Sequence, residues 1–516
     1  MSSINEMSKI MCIESSTDID ELCININENS QTLKNKLNKI LDMIGYPVTV
    51  VCEFYYVDKV FRDSYYNYFG AKHLKIERNC KRLSFFNVAV TENMFYNDYS
   101  ENNELQKSFV GIMVLKPLQI GKVGRTLLNP QKLRINQCYV RTTGFDTVIL
   151  GHTLHIEAFP FSSQDTETMT CAETTVWNIL EYYGSRYSEY KTILPSNIIR
   201  RLESISQERN LPSRGLDYGK VSNLLKSFGF SPRLYALKAY ADNEQVYKNI
   251  FHYYVESGIP LAVGVSGKND QGKNIGHSVV CIGHEKIKKD INAINTRMIQ
   301  GVPYIDTSSY YDKYVFMDDN QIPYTVENFK GLTLYNNTEI DVFAVPLYKR
   351  IILEAGDAAT IIYSIIFNES IGFNTVISQI NETIDDKNPI VVRIFLTSSR
   401  KYKSVRAKNS KKDKVAYFYS NFVYPKFLWV AEISTHNQFD DGNIYGEIIL
   451  DATASKINSS DSIIMIRYLS NVGFRFPDED KNLLFKRLSE KFEDFVYPYP
   501  MYINNLSIGG VKFESI

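Results

Sequence analysis

The sequence predicts an α+β protein, with a β-rich segment before a mixed central unit and a second α+β segment after it. Three observations lead there. Short runs in residues 46–160 alternate apolar and polar side chains, the period of half-buried antiparallel strands. After Phe161 the texture changes to helical spacing interleaved with apolar strands. From about Val342 a fresh series of helix and strand patterns begins, with no low-complexity linker and no internal repeat. The expected division is 1–45 polar and helical, 46–160 β-rich, 161–335 central and 336–516 α+β.

In chain order, "QTLKNKLNKILDMIG" reads as a helix within an otherwise polar start. "PVTVVCEFYYV" is β-branched and aromatic, hence a strand. "FRDSYYNYFG" reads as a short helix stopped by Gly70. "FVGIMVLKPL" and "QCYVRTTGFDTVILGHTLHIEAFPF" read as antiparallel strands. The central unit carries a helix from Cys171 to Gly184, a second around "VSNLLKSFGF", and the helix–strand pair "YKNIFHYYVESGIPLAVGV". The strand "HSVVCIGHE" follows, then an insertion from Lys286 to Asp312, then the strand "KYVFMDD". The last unit contributes "AGDAATIIYSIIF", "IVVRIFLTSS", "KFLWVAEIS" and "YGEIILDATAS".

Bulk properties narrow the function classes. With 516 residues, 44% of them hydrophobic, the chain has enough apolar surface for two to four packed domains. Its 58 basic and 58 acidic residues cancel, so global charge predicts neither a nucleic-acid nor a membrane partner. The amino-terminal stretch lacks a basic start followed by an apolar run, and no segment has the roughly 18 apolar residues of a membrane span. Seven scattered cysteines without a CxxC argue against a disulfide framework and against a zinc ribbon. The expectation is a soluble, reduced, cytoplasmic protein without cofactor or metal.

One cysteine stands apart. Thr170 and Glu173 frame a capping box directly before a helical pattern, in which Ala172, Val176, Ile179, Leu180 and Tyr183 recur at helical spacing and Gly184 fits a stop. That frame places Cys171 at the first helical position. Its sulfur then lies beside unsatisfied N–H groups and the positive end of the helix dipole, which favour the thiolate. A small residue that merely tolerates a helix start is the plain alternative. His277 opens the apolar strand "HSVVCIGHE", where the backbone fixes it at the edge of a cleft. Asp318 and Asp319 end the strand "YVFM", where a carboxylate can accept an imidazole N–H and fix the tautomer. Continued strand alternation would point the two aspartates in opposite directions, so that one alone reaches His277; Asp318 is the preferred orienter. Cys171 Sγ is expected within hydrogen-bond reach of His277.

The pieces "SQDTETMTCAETTVW", "SGIPLAVGV", "GHSVVCIGH" and "YVFMDD" resemble the papain-like cysteine peptidases, in the style of bacterial double-glycine leader peptidase domains. The resemblance spans about residues 160–330 and implies a papain-like fold for the central unit and a peptide or protein substrate. It implies a Cys171–His277–Asp mechanism of amide hydrolysis, with either Asp318 or Asp319 in the acid's place. It also makes Gln164 the match for the family's oxyanion glutamine, although Gln164 lies seven residues before Cys171 where six is usual. Two alternatives share the residues: a deamidase or transglutaminase using the same site, and a catalytically inactive papain-fold protein that binds a peptide without cutting it.

Other motifs are weaker. "GKNDQGKN" (Gly267 to Asn274) approximates a phosphate loop, but Asn274 replaces the required hydroxyl and a strand follows where a helix is needed. His152 and His155, three apart on a strand, should diverge and so not share a metal. Cys281 reads as a buried small hydrophobe, and His284, seven residues past His277, should face away from it. The basic run Arg400 to Lys414 reads as a solvated hairpin loop, with nucleic-acid contact as the minority reading.

Overall fold

The computed structural model describes residues 7–97, 104–206, 211–213, 215–268, 272–332, 338–455, 461–502 and 505–510. Helices and strands are mixed throughout, an α+β architecture. Three large sheets organise it.

The first sheet has five antiparallel strands, Ser8–Ile13, Val48–Tyr56, Cys80–Phe86, Phe109–Leu115 and Val123–Leu128, in chain order. Its first strand pairs Ile13 with Val48, so the described part of 1–45 belongs to the β-rich unit and is not a separate segment. Residues 1–6 lie outside the described residues. The helix Gln31–Ile44 buries Leu33, Leu37, Ile40, Leu41 and Ile44, a period-3.6 stripe.

The central sheet is built on Leu261–Lys268 and Asn274–Glu285, an antiparallel pair with Val265 opposite His277. Lys313–Met317 flanks the second strand and Thr338–Val345 the first. Two distant segments extend this sheet: Cys138–Val140 pairs with the end of Asn274–Glu285, and Ser507–Gly509 pairs with Cys138–Val140. Alternation along the central strands divides two cores. Leu261, Val263, Val265, Val279 and Cys281 face a core shared with the helix Glu244–Glu256 and the C-terminal sheet. Ala262, Val280 and Ile282 face a core shared with the helix Cys171–Arg186 and the first sheet. A sheet buried on both faces reads as continuous apolar runs, as "LAVGV" and "SVVCIG" do.

The third sheet has seven strands, with Ile390–Ser398 and Phe427–Thr435 at its middle. The stretch from Lys286 to Asp312 is more than an insertion: its strand Val302–Asp306 pairs in parallel with Ile390–Ser398. The basic run Arg400 to Lys414 is not a hairpin loop. It forms the helix Ser399–Asn409 and opens a second, Asp413–Asn421. Burial explains the difference. Arg406 is 2% exposed and pairs with Glu432 and Glu447, both at 2.7 Å, while Tyr402 is fully buried beside it. Among the described residues, no helix is long and apolar enough to cross a membrane.

Candidate active site

Cys171 is the first residue of the 16-residue helix Cys171–Arg186, with Thr170 extended before it. The apolar positions read from the sequence are buried: Ala172, Val176, Ile179, Leu180 and Tyr183 are at most 9% exposed. The cap differs from the expected box. The Thr170 hydroxyl donates to the Glu173 carboxylate rather than capping a backbone N–H, and Glu173 also takes the Ser213 hydroxyl. Glu173 is 2% exposed, and these two hydroxyls are what satisfy it. Gly184 does not stop the helix, which runs on to Arg186. Its role is proximity: a Cβ there would lie 2.7 Å from the Thr192 nitrogen.

His277 sits on Asn274–Glu285 and is hydrogen-bonded to Cys171. Its Nε2 lies 2.8 Å from Asp318 Oδ1. The carboxylate engages Nε2, so the Cys171 contact falls to the other ring nitrogen. Both aspartates face the ring, since Asp319 Oδ1 is 3.3 Å from the same Nε2. The expectation of opposite directions fails because the strand ends at Met317, so period-two alternation stops before Asp318. The chain turns instead, with the Asn320 N–H donating to Asp318 Oδ1 at 2.9 Å.

The electrostatics follow from this packing. Burial disfavours a charged His277, but the hydrogen bonds to Asp318 and Cys171 and the two carboxylate charges outweigh it, pushing its pKa up to about 10. Asp319 shows the opposite balance. Burial, reinforced by Asp318, outweighs the attraction of His277 and Lys36 and lifts it to about 7. Both Asp319 oxygens are buried.

Gln164 joins the site from the acid's side. Its amide donates to Asn320 Oδ1 at 2.7 Å, in the turn that carries the aspartates. The extra residue between Gln164 and Cys171 is absorbed by a tight loop. The Asp165 carboxylate accepts the N–H groups of Glu167, Thr168 and Met169 at 3.0, 2.7 and 3.0 Å, and Thr166 takes a positive φ of 64°.

Three neighbours carried no sequence signal. Lys36, on Gln31–Ile44 of the first unit, donates to Ser163 at 3.2 Å and feels both aspartates. Tyr218 begins the helix Tyr218–Ser227, bonds Ser278 at 3.0 Å and stands close enough for the Cys171 charge to act on it. Gly264 makes room for that ring, since a Cβ there would lie 2.6 Å from it. Asn320 links Gln164 to Asp318.

The remaining motifs fall elsewhere. His155 is bound by Asp146 at 2.8 Å and Glu157 at 3.4 Å on an exposed hairpin, and His152 meets the Phe95 carbonyl. Cys281 is fully buried. The middle of the phosphate-loop-like stretch, 269–271, lies outside the described residues, and strands flank it on both sides. His277, Asp318 and Asp319 each offer a ligand atom within 4.8 Å of the others, a spacing a divalent cation fits; Cys171 stands outside that set. No protein-family model and no curated protein matches this chain.

Proposed function

We propose that the protein is a papain-like cysteine hydrolase acting on an amide bond of a peptide or protein. The observation that carries this reading is the chain Cys171–His277–Asp318, with the thiol at a helix start, the histidine on a strand of the sheet and the aspartate just past the end of the neighbouring strand. Cys171 Sγ attacks the carbonyl carbon. His277, held protonated by the carboxylates, gives its proton to the leaving amine and then draws one from the water that releases the acyl group. Asp318 keeps the ring oriented and stabilises its charge. The Cys171 backbone N–H, at the helix start, supports the oxyanion with Gln164 swung from Asn320. The same steps with an amine in place of water make a transglutaminase, and with a glutamine side chain as substrate a deamidase. The present bond from Gln164 to Asn320 is the observation favouring the inactive, peptide-holding alternative.

The test is thiol reactivity at mildly acidic pH. Cys12 is exposed and Cys171 half-buried, while the other five cysteines are buried. Iodoacetamide at about pH 5.5, followed by peptide mapping, should label Cys171 well ahead of Cys12 because a neighbouring histidine activates a catalytic thiol as a nucleophile. Labelling of Cys12 first would remove the catalytic reading. Turnover that survives a chelator would assign the two aspartates to the histidine and not to a cation.

A further inference from the structure

A wide cleft lies at the opposite end of the Cys171 helix and is unused by the chemistry above. It holds about 560 Å³ between the far end of the helix Cys171–Arg186 and the start of the helix Ser399–Asn409. That volume falls in the range of small-molecule sites. Its charge is one-sided: Arg141, Arg186, Arg400, Lys401 and Lys426 line it against the single carboxylate of Glu189. Glu189 is already beside Lys426, at 3.6 Å.

Three of the other cations are held by neutral oxygens. Arg141, only 9% exposed, donates to Tyr182 Oη, to the Asn505 carbonyl and to Tyr187 Oη, all neutral oxygens. Arg186 donates to the Thr142 carbonyl at 3.0 Å and to Tyr187 Oη at 3.3 Å. Lys401 donates to the Asn505 amide oxygen at 3.1 Å. Among the described residues none of the three has a carboxylate within salt-bridge distance. Gathering cations without counter-charge costs free energy through mutual repulsion and desolvation, and a bound anion relieves both. The amino end of the 11-residue helix Ser399–Asn409 adds its own positive potential, because Ser398, Ser399, Arg400 and Lys401 all line the cleft. Aromatic rings of Tyr187 and Tyr348 complete the wall.

We propose that this cleft binds a small phosphate ester carrying a flat ring, of the size of a nucleoside diphosphate. The phosphates lie against Arg141, Arg186, Lys401 and the helix start, and the ring lies against the tyrosine wall. Guanidinium groups match phosphate oxygens in paired hydrogen bonds, and the space exceeds what an inorganic ion fills. Burial and the neighbouring guanidinium groups hold the Lys401 ammonium down at about 8, a field that a dianion would reverse.

The test is calorimetric titration of the full chain with ADP, pyrophosphate and adenosine. ADP should bind saturably with a Kd below about 1 mM in low salt, more weakly as salt rises. The exposed-site variant Arg186→Gln should weaken ADP by about tenfold or more, and adding Lys401→Gln should weaken it further. Because Arg186 is exposed, the single variant keeps the test valid if the double variant unfolds. Three results overturn the proposal: no saturation with ADP by about 10 mM, adenosine binding as tightly as ADP, or Arg186→Gln binding ADP like the parent. Pyrophosphate binding without ADP binding would overturn the ring as well.

Discussion

His277 and His284 share one strand, and each presents Nε2 to a carboxylate, at 2.8 Å from Asp318 and 3.0 Å from Glu256. What separates them is the second nitrogen. His284 Nδ1 is bound to the Glu285 carbonyl at 2.8 Å, and the ring is 1% exposed. Its partner Glu256 is shared with Arg393 at 2.7 Å, and Arg393 passes the charge on to Glu432 at 2.8 Å. Burial pushes Glu256 up, but Arg393 and His284 pull it well below the usual carboxylate range. Both nitrogens of His284 and both oxygens of Glu256 are spent on the fold. His277 keeps one nitrogen for a half-buried thiol at a helix start. A histidine–carboxylate pair therefore becomes a candidate for chemistry when a nucleophile, not a backbone carbonyl, occupies its remaining nitrogen.

Breaking each half of this contrast should give different readouts. The largest effect is expected for Cys171→Ala, which should lower peptide turnover by at least about 10³-fold while leaving the melting temperature near that of the parent, because no core contact is lost. Glu256→Gln attacks the other histidine. It leaves Arg393 short of a buried counter-charge and should cost about 3 kcal/mol of stability, measured by denaturant unfolding, with the rate per folded molecule retained. Equal loss of rate in the two variants would erase the distinction.

Asp318→Asn sharpens the contrast by leaving Cys171 and His277 in place. The rate should fall by about 10²-fold. The pH profile carries the diagnostic. His277 is raised from 6.5 to about 10, so the imidazolium is complete below 6.5 and is lost as pH rises through about 10. Without the Asp318 charge the alkaline limb of Cys171 alkylation should move to lower pH. The smallest effect belongs to Asp319→Asn. Asp319 is raised from 3.8 to about 7, so its favourable contribution is present below 3.8 and is lost as pH rises towards 7. The variant should melt roughly 2 °C higher at pH 8 and match the parent near pH 4, by scanning calorimetry at both pH values.

The helix behind Cys171, the strand of His277 and the two acids were legible because each rests on local pattern. Helical spacing, an apolar run after glycine and a strand end are all properties of contiguous residues. The errors arose where local rules stop or distant segments meet. Alternation misplaces Asp319 because the strand ends at Met317. The charge density of Arg400 to Lys414 reads as solvated, yet Glu432 and Glu447 arrive from other strands to bury Arg406. Lys36 and Tyr218 look like ordinary helical residues in sequence, and only the packing of their helices brings them to the site.

The sheet that holds His277 is extended by the strand Ser507–Gly509, which reaches it through Cys138–Val140. A ribosome delivers that strand long after Cys171, His277 and Asp318 have emerged. The Asn505 carbonyl that takes Arg141 arrives at the same late moment. During synthesis the thiol and its histidine are thus carried on a sheet still short of Ser507–Gly509, a strand that emerges well after them.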